Sequence, residues 1–134
     1  MQLICTEKSV AVLPKQYVEI GFGPTYEFDL TVGKAYLVLG LRYSMGCLMC
    51  LTSNDYDLPE WFPIDLFRVV DGTFPESWSM AIRDYAALTV VIGYDALVSD
   101  TMHHDALIER EPSALRVYFA EHFVEKQHAE QRAR

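Results

Sequence analysis

The chain has 134 residues, about half of them apolar and 13% aromatic, enough for one domain with its own core and without disulfide staples. Its net charge of −8 repels nucleic acid and acidic membranes and would steer a basic partner inward. That balance is local, because residues 54–111 hold 12 acids against 3 bases. The same charge also serves as plain solubility charge. No apolar run approaches the ~20 residues of a membrane helix. Residues 1–7 lack the basic flank and apolar core of a signal peptide, so a cytoplasmic address is expected. The odd cysteine count (Cys5, Cys47, Cys50) agrees with free thiols.

Residues 3–6 read as a first short strand. Residues 7–29, broken at Pro14 and at Gly21-Phe22-Gly23-Pro24, read as a long loop. Its aromatics Tyr17, Phe22, Tyr26 and Phe28 fold back onto the core. Residues 30–43 carry the clearest strand signal: Leu30, Val32, Tyr36 and Val38 share a parity, and Gly33-Lys34 makes a tight turn. Ser44-Met45-Gly46 turns the chain into residues 47–52, an apolar strand expected to be covered on both faces. Cys47 and Cys50, three apart on that strand, point to opposite faces, which suits buried structural thiols better than a metal or disulfide pair.

A polar hairpin loop, residues 53–58, leads into the stretch that organises the chain. Pro59 and Pro63 bracket Trp61 and Phe62, so the backbone there is stiff and extended. Leu66, Phe67, Val69 and Val70 follow as a β-type run that ends at Asp71-Gly72. This stretch is expected to close the wall of a small barrel. Residues 76–83 alternate, with Trp78, Met80 and Ile82 on one face, and residues 88–92 form another strand ended by Gly93.

Residues 96–98 and 105–110 read as short helical pieces. Glu111-Pro112-Ser113 starts a longer helix. Leu115, Tyr118, Phe119, His122 and Lys126 fall at helical spacing, with Phe123 at the stripe's edge, and this face is expected to pack on the barrel. Residues 127–134 are polar and expected to fray. The reading is one domain, 1–134, with a β part over 1–92 and a helical extension over 93–134.

Leu30-x-Val32-Gly33-Lys34-x-Tyr36-x-Val38, the hairpin after it, the Asp-bearing loop and Trp61-x-Pro63-x-x-Leu66-Phe67-x-Val69-Val70 together resemble a bacterial Src-homology-3-like barrel. The resemblance covers roughly residues 30–71. It implies an α+β, mainly β chain: a small barrel with a helical C-terminal extension, which a minimal barrel lacks. Small acidic proteins of this look resemble bacterial immunity proteins of contact-dependent and related polymorphic toxin systems. That resemblance implies a non-enzymatic protein that binds and blocks one cognate toxin C-terminal domain.

The residues themselves offer little catalytic material. His103-His104, His122 and His128, with Asp100 and Asp105 nearby, lack the H-E-x-x-H spacing of a zinc helix. Adjacent histidines on a helix diverge by about 100°, and His122 sits on an apolar stripe where a packed histidine is expected. Asp55-x-Asp57 with Glu60 is the one tight acidic cluster, set in a turn whose side chains normally serve local backbone. Ser44, Ser53, Ser77 and Ser79 stand outside any G-x-S-x-G elbow, and Cys50 has no basic neighbour. Gly21-Phe22-Gly23-Pro24 is no phosphate loop, and the bases needed to hold single strands are missing. No catalytic residue, metal or cofactor is expected, and neither nucleic acid nor membrane is an expected partner.

Recognition remains. Tyr56, Trp61, Phe62 and Trp78, ringed by acids, have the aromatic centre and charged rim of an interface, although each tryptophan taken singly also suits a core. The expected partner-binding residues are Asp55, Tyr56, Asp57, Glu60, Trp61 and Asp65, meeting a basic toxin surface. The other readings are a peptide-binding adaptor with an aromatic groove for proline-rich ligands, and a small hydrolase built on Asp55 and Asp57.

Overall fold

The other strands are hung on one long strand, β2 (Ala35–Ser44), in the computed structural model, which describes residues 1–132. Gly33 (φ 89°) makes the turn that feeds β2. Met45 (φ 54°) and Gly46 (φ 78°) then fold it back onto β3 (Cys47–Ser53). Two left-handed residues in a two-residue loop match the right-handed twist of the strands they join. On its other side β2 meets two strands in succession. Residues 35–37 pair with β1 (Gln2–Cys5), and Gly40 to Ser44 pair with β7 (Leu88–Gly93), all antiparallel.

The switch between these partners comes at Leu39, which the register of β2 on β3 skips. An extra residue of this kind bends and twists a strand, and it also flips the side-chain parity. Val38 and Leu41 pack into one core, with Leu3, Tyr36, Cys50, Phe62 and Leu66. Leu39 packs into a second core under the helices, with Leu51, Val91, Tyr94, Leu97 and Tyr118. Gly40 lies against Leu97 in that same second core. Cys47 and Cys50 accordingly fall in different clusters, and all three cysteines are free and buried.

Residues 59–71 divide into β4 (Pro59–Pro63), a 3-10 turn (Ile64–Leu66) and β5 (Phe67–Asp71). β4 pairs with β3 and β5 with β1, at the two ends of the order β4-β3-β2-β1-β5. The two halves of the stretch therefore lie at opposite edges, and the sheet is not closed. β6 (Ser79–Asp84) pairs with β7 alone. The expected parity of β6 holds but its direction is reversed. Met80 and Ile82 share a face and are 68% and 69% exposed, because the helices cover the opposite face of this hairpin. Trp78 precedes the strand and stacks on Phe74.

The long first loop carries a 3-10 turn (Val10–Val12) and α1 (Gln16–Glu19), and Phe28 and Tyr17 bury there as expected. Three helices follow the sheet: α2 (Asp95–Ser99), α3 (Thr101–Ile108) and α4 (Pro112–Arg132). Asp100 caps α3 by accepting from the backbone N–H of Met102 and His103, so the helix begins earlier than its apolar pattern suggests. Arg110 (φ 55°) ends it, with Glu111 N–H donating to Ala106 and Arg110 N–H to Leu107. That is the Schellman pairing, which usually places glycine where Arg110 stands.

α4 buries a narrower stripe than its spacing suggests. Ala114, Tyr118 and Glu125 go inward, while Phe119 and Phe123 are 41% and 61% exposed and Lys126 faces solvent. A helix lying on a sheet along one line covers only the residues on that line. The tail expected to fray is helical through Arg132, and its residues 133–134 lie outside the described residues. The chain is thus α+β, with about 34% strand and 33% helix, rather than mainly β. No described helix is long and apolar enough to cross a membrane.

Candidate functional site

Arg42 is the only charged residue between residues 35 and 53, and it lies on the helix-covered face of β2, next to the bulge. Its guanidinium carbon sits 4.5 Å from the centre of the Trp61 ring, a cation–π contact. Its Nη1 lies 3.3 Å from Nε2 of His104. A guanidinium only donates, so Nε2 accepts, and the imidazole proton rests on Nδ1, 3.1 Å from Asp105 Oδ1. Burial holds the His104 imidazole below its usual pKa, Asp105 opposes that shift and Arg42 reinforces it. The Tyr85 ring stacks on His104 at 4.4 Å, nearly parallel.

This column divides two clefts. One, of about 500 Å³, is lined by Arg42, Cys47, Tyr85, His104 and Asp105. The other, of about 430 Å³, is lined by Arg42, Glu60, Trp61, Ile108 and Arg110. Phe22 from the long first loop borders both. Burial disfavours the charge on Arg42, yet among the described residues no carboxylate comes within ion-pair distance of it. Trp61 Nε1 and Tyr85 OH, on the same walls, are buried without a hydrogen-bond partner.

The six residues expected to bind a partner do not form one surface. Asp55 accepts from Tyr36 OH (2.6 Å), Thr31 Oγ1 (2.7 Å) and Lys34 Nζ (3.4 Å). Partial burial pushes its carboxyl up, but these three donors outweigh it and hold the group below the usual carboxylate range. The same contact pushes Tyr36 up to about 12, with burial as the larger cause. Tyr56 and Asp57 stand at the tip of the β3–β4 turn, Tyr56 exposed and Asp57 in left-handed backbone. Glu60 accepts from Asn54 Nδ2 (3.1 Å) and meets Arg110 at 3.4 Å, and burial raises its carboxyl pKa. Trp61 lies beneath Arg42. Asp65, beyond the far end of β4, accepts from Tyr17 OH at 2.9 Å.

Only Glu60 and Trp61 meet in one cleft. Asp55 and Asp65 anchor loops. The histidines do not gather: His103 pairs with Tyr94 OH at 2.6 Å and His104 belongs to the Arg42 column. No group of three or more His, Cys, Asp or Glu placed to hold a metal ion is found among the described residues. Arg42 escaped the sequence reading, although a lone charge inside a long apolar strand was the signal available. His104 and Tyr85 carried no comparable signal, since chain folding alone brings them beside Arg42.

Comparison with protein-family models, curated proteins and solved structures finds no match for this chain.

Proposed function

We infer that this chain is a non-catalytic, cytoplasmic immunity protein that binds a basic toxin domain and neutralises it. The observation that carries the reading is the uncovered face of the β6–β7 hairpin. Met80, Ile82, Leu88 and Tyr43 share that face through the register and are 68%, 69%, 72% and 50% exposed. They present on the order of 500 Å² of apolar surface, a size at which a patch often marks a contact site. β6 is also a sheet edge with neither proline nor lysine, the residues that usually blunt an exposed edge. Its Arg83 is turned away, donating to the Val98 carbonyl at 2.9 and 3.2 Å. The hairpin lies in the span with 12 acids against 3 bases, so a basic partner fits the field around the patch.

The Src-homology-3-like reading of residues 1–71 belongs to the same proposal. It is supported by the antiparallel order β5-β1-β2-β3-β4 and by a single 3-10 turn joining β4 to β5. Fold alone does not assign function, so the patch bears the weight.

The test is capture by the tagged chain and by its Met80→Glu/Ile82→Glu variant, at low and high salt, followed by co-expression of the captured domain. Both positions are exposed, so folding should change by no more than about 0.5 kcal/mol each. The expected result is one stoichiometric basic partner, lost with the variant and weakened by salt, whose toxicity the wild-type chain abolishes. Equal capture by the variant, or a partner that is not toxic, overturns the reading.

A further inference from the structure

We propose that the cleft between Arg42 and Arg110 binds a small carboxylic acid with an apolar body, its carboxylate seated on the Arg42 guanidinium. The site is independent of the partner-binding face on β6 and β7.

The unpaired charge is the starting point. Withdrawing a cation from water without a counter-ion is unfavourable, and Arg42 is largely withdrawn, with a neutral imidazole as its one hydrogen-bond partner. Trp61 fixes the plane of the guanidinium from one side, leaving the remaining N–H groups of its planar fork for an acceptor. A carboxylate matches that fork with two parallel hydrogen bonds.

Arg110 supplies the second observation. Its backbone is left-handed (φ 55°), where glycine is the less strained choice. Backbone strain kept at a cleft points to a side chain kept for its own sake. Its guanidinium meets Glu60 at a loose 3.4 Å, with 41% of the side chain exposed. The charged side chains of this cleft are Arg42, Arg110 and Glu60, so two cations face one anion. Glu60 also holds Asn54 Nδ2, which leaves Arg110 able to turn toward an incoming anion.

The walls set the class of ligand. Phe22, Met49, Leu51, Leu107 and Ile108 are apolar and come from the first loop, the sheet and α3. About 430 Å³ falls within the range of small-molecule pockets. An aryl or short-chain acid puts its body against these side chains and its carboxylate at Arg42. Inorganic phosphate carries the charge without the apolar body.

The experiment titrates the isotope-labelled full chain with 3-phenylpropionate, its neutral amide and inorganic phosphate, following the Trp61 indole N–H and the Ile108 methyl groups by NMR. The acid should give saturable shifts at both probes. The amide should bind at least about tenfold more weakly, and phosphate should not saturate by about 10 mM. Arg42→Gln should abolish the shifts, and Arg42→Lys, which keeps charge but loses the fork, should fall between. Arg110→Gly relieves the left-handed strain, so it should melt at or above the wild-type temperature while weakening the acid about threefold or more. This variant keeps the test decisive if Arg42→Gln fails to fold. Equal affinity for acid and amide, no saturation by the acid, or undiminished binding in Arg110→Gly overturns the proposal. Saturation by phosphate as tight as by the acid overturns the carboxylate assignment.

Discussion

Gly40 and Gly93 face each other across β2 and β7, and Leu97 of α2 sits over both. A Cβ on Gly40 would overlap Leu97 Cδ2 and stand 3.1 Å from the Ile92 carbonyl oxygen. Leu97 is fully buried, so its methyl group has no empty space to swing into. Gly40→Ala should therefore push α2 off the sheet. Overpacking of this kind costs ~1–3 kcal/mol, offset by the ~0.4–1 kcal/mol that replacing glycine saves in unfolded-chain entropy. The net loss is on the order of 1–2 kcal/mol, or a melting temperature lower by roughly 3–8 °C for a chain of this size. Urea unfolding of a double-mutant cycle with Leu97→Ala isolates the cause. Leu97→Ala alone should cost ~2–5 kcal/mol. In that background Gly40→Ala should cost nothing, since the overlapping methyl is gone. If Gly40→Ala costs the same in both backgrounds, or nothing in the wild type, the packing argument is wrong.

Two further substitutions test the parts that surround the clefts. Asp55→Asn should destabilise the chain near neutral pH, because Asp55 has its carboxyl held low by Tyr36, Thr31 and Lys34. A depressed folded-state value gives stability that is present above the unfolded carboxylate value and lost as pH falls through the folded one. Denaturant midpoints of variant and wild type should therefore converge below about pH 4, and a gap that stays constant with acid would refute this origin. Asp100→Ala removes the cap of α3 and should cost ~0.5–2 kcal/mol. Amide exchange should speed first in residues 101–104, and unchanged protection there would show that the cap does not hold the helix carrying His104.

The strands, their turns and the three C-terminal helices were legible in the linear order of residues. Alternation over residues 35–53, the proline bracket at 59–63 and the Asp71-Gly72 stop are local signals, and local sterics answer to them. The C-x-x-C reading also followed from strand parity alone. What a neighbour covers was not legible. Met80 and Ile82 share a face in the sequence, but only the placement of α2 behind the hairpin decides that this face looks outward. The acids at 55, 57, 60 and 65 look alike in composition, yet the fold gives Asp55 to Tyr36, Asp65 to Tyr17 and Glu60 to Arg110. The Arg42 column depends on the bulge at Leu39 and on α3 arriving from 62 residues away to set His104 beside it. Propensity and periodicity act over a few residues, whereas burial and charge pairing depend on which distant segments meet. The elements were therefore written in the chain, and the clefts and exposed faces were decided by its packing.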